Sequence, residues 1–394
     1  MGLNPRLAPH MAKMQSNMIF SLLPKLSELG FISFAPGAPD AAVFPFDDIL
    51  GITRDLLGSD PGGLLQYGVT EGYPPARDAM AKLISGYGLA PKADEIIVTT
   101  GGQQAIELLC KMFIEPGDVA LVESPTYSAA LQILKSLRAQ VIPIESDSQG
   151  IIPEDLEEKI KIFTPKIVYI VPTFKNPSGA TISYERRSAV AEITGRLNVL
   201  LIEDDPYRDL RYEGDHLPTI KSFDRSGNIV FLTSTSKILC PGLRVAAAYL
   251  PEALIPYMTI AKQAADMHSA TLPQAIAGEY IRRGLLGGHI SKLCSVYKAR
   301  RDLMLACISE SFPKSIDVAA PMGGLFIWCV CPDGTNTTDL LEQALERKVA
   351  YIPGEQFFAD GRGKNTFRLN FTSAAQGDIS KGIEILGQVL RNNV

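Results

Sequence analysis

"KIVYIVPTFKNPSGATISYERRSAVAEITGRLNVLLIEDDPY", Lys166–Tyr207, reads as two strands joined through a helix. "KIVYIVPTF" and "VLLIEDD" are almost wholly apolar where a half-exposed strand would alternate, so both faces of each strand are covered. Between them "ERRSAVAEITGRL" carries a helical pattern. Strand, helix and strand make a βαβ unit, with parallel strands and a right-handed crossover. The alternation continues both ways. Upstream stand "EIIVTTG" with "QQAIELLCKMF", "VALVES" with "PTYSAALQILKSL", and "QVIPIES" with "PEDLEEKIK"; downstream stand "NIVFLTS" and "RVAAAYL". The spacing predicts an α/β fold, a mostly parallel sheet with helices on both faces. Chemistry in such sheets gathers at the carboxyl ends of the strands.

A chain of 394 residues exceeds what one core usually holds, so two unequal domains are expected. After about residue 285 the pattern changes to long helices and few strands, which predicts a smaller α+β domain. The division expected is an arm over 1–45, helical in "NMIFSLLPKL" and packed with the small domain, a large domain over 46–285, and a small one over 286–394. A net charge of -5 without long runs gives no footprint for nucleic acid or anionic lipid. No apolar run approaches the ~18 residues needed to span a bilayer. The first twenty residues lack a secretory h-region. A cytoplasmic, soluble chain is expected. Cys329 and Cys331 fall on one face of "GLFIWCVC" as small core residues. The four histidines form no metal-ligand spacing, so a zinc site is not expected.

Each strand end carries a polar signal. Gly101, Gly102 and Gln103 follow "IIVTT" where a helix starts, an arrangement that lets backbone N–H groups approach an anion. "PTY" places Tyr127 after "VALVES", where its ring can stack on a flat group. Asn176 precedes a proline in "KNPSG", which fixes its amide in a turn. "EDDPY" ends an apolar strand with three carboxylates, and one buried there needs a cation. After "NIVFL" comes "TSTSKILCPGLR", Thr233–Arg244. Ser234, Ser236 and Arg244 can cup a phosphate, with Lys237 at its edge. Desolvated or cationic surroundings disfavour an ammonium and make the lysine a nucleophile, which with a phosphorylated aldehyde gives a Schiff base. Singly, each feature has an ordinary reading as turn, cap, core tyrosine or surface lysine. Together, five strand ends supply an anion cup, a stacking ring, a fixed amide, a buried acid and an amine.

"TTGGQQAIELL", "PTY", "NPSG", "EDDPY" and "TSTSKILCPGLR", in this order, resemble the fold-type I pyridoxal-phosphate aminotransferases of class I/II. The nearest subgroup is that of 2-aminoadipate, kynurenine and aromatic aminotransferases. The likeness runs from "SFAPGAPD" to "TFRLNF"; Ser178 replaces the usual threonine of Asn-Pro-Thr-Gly. It implies pyridoxal 5'-phosphate as cofactor, an L-amino acid and a 2-oxo acid, 2-oxoglutarate by family habit, as substrates, and a homodimer with shared active sites. It implies that Lys237 holds the cofactor and then shuttles the substrate's proton, and that Asp204 partners the pyridine nitrogen. Asn176 and Tyr207 correspond to donors to the ring oxygen, Tyr127 to the stacking ring. Gly102, Gln103, Ser234, Ser236 and Arg244 correspond to the phosphate cup. Tyr67, in "QYGVTEGYPPAR", resembles the tyrosine that reaches the phosphate from the neighbouring subunit. Arg368 resembles the arginine that grips the α-carboxylate; alternation puts it with Thr366 and Asn370, opposite Phe367, Leu369 and Phe371.

Substrate choice is read from a departure. The 2-aminoadipate enzymes have an arginine on the N-terminal helix for the distal carboxylate. Here that place falls near Phe20, beside apolar Met18 and Ile19. A neutral side chain, aromatic or large aliphatic, is therefore expected, with Gly37 a further position facing substrate. A lyase or decarboxylase of the same fold would share the cofactor residues. A DNA-binding regulator would need a winged helix ahead of the sheet and a basic stripe.

Overall fold

The computed structural model describes residues 8, 10, 11, 14 and 30–394. The helical reading of the arm, and Met18, Ile19 and Phe20 with it, lie outside them. We label the strands of the two main sheets. The large sheet contains β1 (Ile96–Thr100), β2 (Val119–Glu123), β3 (Gln140–Ile144), β4 (Ile167–Ile170), β5 (Leu200–Asp204), β6 (Ile229–Ser234) and β7 (Val245–Tyr249). Their order is β1-β7-β6-β5-β4-β2-β3.

The neighbours from β6 through β5, β4 and β2 to β3 pair in parallel, as the βα repeats require. β7 is reversed and antiparallel to both β1 and β6. Its connection explains the reversal. Parallel pairing needs a crossover of a dozen or more residues, usually a helix. Only the loop from Thr235 to Arg244, with a 3-10 turn at Pro241–Leu243, separates β7 from β6.

Apolar side chains leave both faces of the sheet. Ile167, Tyr169 and Ile202 join one core, while Val168, Ile170 and Leu201 join the other. This two-sided covering is why the strand runs do not alternate in polarity.

The second sheet is β8 (Asp317–Ala319), β9 (Phe326–Val330), β10 (Ile352–Pro353) and β11 (Thr366–Asn370), ordered β8-β9-β11-β10 and antiparallel throughout. Cys329 and Cys331 are buried free thiols there. The polar side chains of β11 are covered as well as its apolar ones: Arg368 and Asn370 are both buried. The cover is the segment before the large sheet. Ile32–Ser33 pairs in parallel with Val349–Ala350, and the Asn370 N–H donates to the Phe34 carbonyl at 2.8 Å.

Behind this sheet the helix Gln376–Arg391 packs on the helix Leu285–Ser311. Glycine at 387 permits the approach, since a Cβ there would lie 2.5 Å from the Ser311 carbonyl oxygen. Gly→Ala inside a helix ordinarily stabilises by about 0.5–1 kcal/mol. Here overpacking costs about 1–3 kcal/mol and decides the sign. Gly387→Ala is expected to lower the thermal midpoint by circular dichroism, and a raised midpoint would contradict the close helix contact.

Candidate active site

Glu203 and Asp204 end β5 and Asp205 follows it; the pleat sends the first two to opposite faces, and the third lies beyond the strand. Glu203 is buried and accepts the backbone N–H groups of Ile220 at 2.7 Å and Lys221 at 2.8 Å. Burial, then Asp205, raises it to about 7 against the pull of Arg187 and those amides. Asp205 is 3.0 Å from Arg208 Nη1 and accepts the Thr173 hydroxyl at 3.1 Å. Asp204 shares the face of Ile202 and accepts the Tyr169 hydroxyl at 2.7 Å. Tyr169 pairs with Ile202 in register, so its ring reaches diagonally toward Asp204. Desolvation pushes Asp204 up to about 7, against the Tyr169 hydrogen bond, and Lys237 adds a smaller downward pull.

Lys237 stands on the loop that reverses the chain after β6, and its Nζ donates to the Gly37 carbonyl at 2.7 Å. Burial lowers it to about 8, helped by the positive charges of Arg368 and Arg244. Its amine is therefore partly uncharged near pH 8. Ser234 donates to Ser236 Oγ at 3.0 Å at the start of the same loop. Arg244 ends the loop at φ 54 and is exposed. It lies against the turn that opens the helix Gly102–Phe113, where Gly101 has φ 78. A Cβ on Gly101 would sit 2.2 Å from Arg244 Nη2, and the left-handed φ itself favours glycine there.

Arg368, fully buried on β11, donates from Nη1 to Asn176 Oδ1 at 2.7 Å and from Nη2 to the Ala35 carbonyl at 2.5 Å. Phe326 lies 4.3 Å and Phe357 5.0 Å from its guanidinium carbon. Its Nε has no hydrogen-bond partner. Among the described residues no carboxylate forms an ion pair with it. Desolvation brings it down to about 10. Asn176 also bonds the buried Tyr207 hydroxyl, and Tyr207 couples to Tyr127 and Asp204. Tyr127 caps the helix Ser128–Ser136, and burial beside Asp204 raises its hydroxyl to about 12. A Cβ on Gly37 would meet Phe326 at 3.3 Å and Arg368 Nη1 at 3.9 Å.

The structure thus brings together Lys237, Asp204, Tyr127, Asn176, Tyr207, Arg368 and Gly37, with Arg244, Ser234, Ser236 and Gly102 along one side. Gln103 is exposed in the first turn of its helix. Tyr67 stands apart, 77% exposed and edge-on to His268 at 5.8 Å. The sequence reading missed Tyr169, hidden as one more apolar residue of a buried strand. It also missed the buried pair of Glu123 with Lys175, 3.1 Å apart, directly before Asn176. A lone carboxylate ending the apolar run "VALVE" was the available signal.

Residues 33–385 match the model of the family "Aminotransferase class I and II". The chain belongs to that family. It is 38% identical over 387 residues to aromatic-amino-acid aminotransferase 1 of Thermococcus litoralis, covering 97% of this chain and 93% of that one. The crystal structure of Pyrococcus horikoshii kynurenine aminotransferase with PMP superposes at TM-score 0.94, with 37% identity and coverage of 98% and 97%. The α-aminoadipate aminotransferase of Thermus thermophilus, solved with N-(5'-phosphopyridoxyl)-L-leucine, gives 0.92, with 31% identity and coverage of 98% and 97%.

The protein is a pyridoxal-phosphate-dependent aminotransferase with small-molecule amino acid and keto acid substrates. Its residues fit that cofactor. A buried carboxyl at Asp204 suits a protonated ring nitrogen, and the turn at Gly101, open to Arg244, suits a phosphate.

Asp204 and Lys237 carry their shifts at a cost to the cofactor-free protein. Between pH 4 and 7 the folded state holds an Asp204 proton that the unfolded chain has lost, so this group's contribution falls as pH rises. For Lys237 the unfolded chain binds the extra proton between about 8 and the ordinary lysine value, so its penalty fades as pH rises there. Asp204→Asn is expected to raise the thermal midpoint of cofactor-free protein at pH 8, and by less at pH 5. A benefit that is equal at both, or larger at pH 5, would show that Asp204 is not the group titrating.

Proposed function

We propose that this aminotransferase moves the amino group of a neutral, aromatic or large aliphatic L-amino acid to 2-oxoglutarate. The observation that carries the reading is Arg368, a buried guanidinium held by neutral partners beside Lys237. A substrate α-carboxylate completes its coordination as a forked, charge-assisted pair. Asn176, already on Arg368, fixes that carboxylate's approach.

Bound pyridoxal phosphate supplies an aldehyde for the amine and a ring that takes up the electron pair of the broken Cα–H bond. The chain's residues set the rest. Lys237, with its amine partly uncharged near pH 8, takes the proton from Cα at Nζ. Asp204 holds a proton at the ring nitrogen. Tyr127 would stack on the ring, and Asn176 and Tyr207 would donate to its oxygen. Gly102, Gln103, Ser234, Ser236 and Arg244 hold the phosphate. Phe326 and Phe357 keep water from Arg368 and strengthen its hold on an anion.

The working unit in this proposal is a homodimer in the cytoplasm. Phe46, Leu50, Leu65, Val69, Tyr257 and Ile260 are more than half exposed, an apolar surface that favours a covering partner. The segments bearing them meet where the Gly68 N–H reaches His268 Nε2 at 3.2 Å. Tyr67 is exposed on this surface, and in the proposed homodimer it serves the second copy's phosphate. No helix among the described residues is long and apolar enough to cross a membrane. The preference for neutral donors rests on apolar Phe20 and on the name of the aromatic-amino-acid relative, set against the α-aminoadipate relative.

The test is the half-reaction. The protein loaded with pyridoxal phosphate is mixed with single amino acids without keto acid, and the cofactor's aldehyde-state absorbance is followed. Phenylalanine, leucine and methionine are expected to deplete it faster than glutamate or 2-aminoadipate; the reverse order overturns the preference. A band that persists through the whole panel favours a lyase or decarboxylase. Arg368→Lys is expected to lower kcat/KM about a hundredfold, the scale of a lost charge-assisted fork, at unchanged cofactor affinity.

A further inference from the structure

Behind the turn that opens the helix Gly102–Phe113 lies an ion pair not yet given a role. Lys262 is fully buried near the end of the helix Ile255–Asp266. Its Nζ donates to Asp266 Oδ1 at 2.9 Å and Oδ2 at 3.0 Å, to Ser269 Oγ at 2.9 Å and to Gln104 Oε1 at 3.0 Å. Asp266 Oδ2 accepts the Gln104 side-chain amide at 2.6 Å and the Thr100 hydroxyl at 3.0 Å. The Thr100 N–H donates to Gln104 Oε1 at 2.8 Å, and its hydroxyl lies 2.8 Å from Ser269 Oγ.

The geometry has a direction. Thr100 and Gln104 bracket Gly101, Gly102 and Gln103, and both are tied to the same pair. The opposite side of this turn faces Arg244, whose Nη2 contacts the Thr100 carbonyl at 3.4 Å. Ordinary strand-to-helix turns do not need a buried lysine paired with a partly exposed aspartate behind them. Burying the Lys262 ammonium costs desolvation that its partners must offset. The pair is also followed by strain: Met267, a non-glycine residue, sits at φ 65 and ψ -57. The His268 N–H closes that turn onto the Asp266 carbonyl at 2.7 Å. Expense and strain of this kind collect where geometry serves function.

We propose that Lys262 and Asp266 are positioning residues for the cofactor's phosphate. They lock Thr100 and Gln104 so that the first turn of the helix and Arg244 are already set to receive a dianion. The benefit is preorganisation, since a cup held from behind does not have to be ordered when the ligand arrives. Neither residue touches the cofactor. The inference rests on the phosphate-cup reading given above, and the experiment separates the two.

Affinities of pyridoxal 5'-phosphate and of pyridoxal, which lacks the phosphate, are measured by absorbance titration of the cofactor-stripped full chain. Both ligands use Lys237, so their ratio isolates the phosphate. The proteins are wild type, Asp266→Asn, Thr100→Val and the double replacement Lys262→Met/Asp266→Leu, which removes the pair without leaving one charge unpaired. We expect Asp266→Asn and the double variant to weaken pyridoxal phosphate about tenfold, the scale of one lost charge-assisted hydrogen bond, with pyridoxal affinity within about twofold. Thr100→Val is expected to shift the ratio in the same direction by less. Equal loss for both ligands, or no loss for either, in variants that keep the wild-type circular dichroism spectrum, overturns the positioning role. If Asp266→Asn does not fold, the double variant and Thr100→Val decide on the same criteria. If wild type itself fails to prefer pyridoxal phosphate over pyridoxal, the phosphate-cup reading falls.

Discussion

A buried positive charge with no carboxylate beside it is the constraint on which the rest of this structure depends. Removing a guanidinium from water is costly unless polar groups replace its hydration. For Arg368 the replacements are the Asn176 side chain, the Ala35 carbonyl and the faces of Phe326 and Phe357. Those partners come from the loop after β4, from the segment ahead of the large sheet, and from the second sheet with its adjoining turn. Arg368 is therefore satisfied only when all three are docked. The arginine makes the assembly of the two sheets and the formation of the site one event, and Gly37, wedged between Phe326 and Lys237, sits at their meeting point.

The same logic explains the three carboxylates of β5. A run of acids at a buried strand end would repel itself, and the pleat resolves the conflict by geometry. Glu203 is absorbed by two backbone amides on one face. Asp205, beyond the strand, is absorbed by Arg208 and Thr173. Only Asp204 is left with a neutral hydroxyl as its described hydrogen-bond partner, and its proton affinity rises accordingly.

Much of this was legible in sequence because hydrophobic periodicity and strand-end chemistry are local properties. The apolar runs of β4 and β5 announce a sheet covered on both faces, and "EDDPY" and "TSTSKILCPGLR" announce polar groups where such a sheet keeps its chemistry. What escaped depends on contacts between distant residues. Tyr169 looks like any aromatic of a buried strand until Asp204 is placed 35 residues later in the chain beside it. Alternation separates Arg368 from Phe367 and Leu369, yet it cannot tell that the segment from Ile32 to Ala38 covers the polar face. The reversal of β7 follows from the shortness of one loop, visible in the numbers but outweighed by the repeating βα pattern. Lys262 and Asp266 have ordinary helical i,i+4 spacing, which on its own describes thousands of solvent-exposed pairs; the burial of Lys262 and the shared contacts to Thr100 and Gln104 are what distinguish them.

Among the described residues, the buried charges differ in how the fold compensates them. Glu123 with Lys175, Asp205 with Arg208, and Lys262 with Asp266 each have a partner of opposite sign within 3.1 Å. Arg187 has no carboxylate, but its guanidinium is enclosed by the carbonyls of Ile182, Pro218 and Pro172 and the Thr173 hydroxyl. These groups are satisfied by the fold itself. Lys237, Asp204 and Arg368 are held by one or two neutral groups each and are displaced toward the uncharged form, as is Glu203, which two backbone amides hold. Three incompletely compensated charges converging on one region are an unstable arrangement for a cofactor-free protein. In the function proposed above, a ring cation at Asp204, a carbonyl at Lys237 and a carboxylate at Arg368 would complete their compensation.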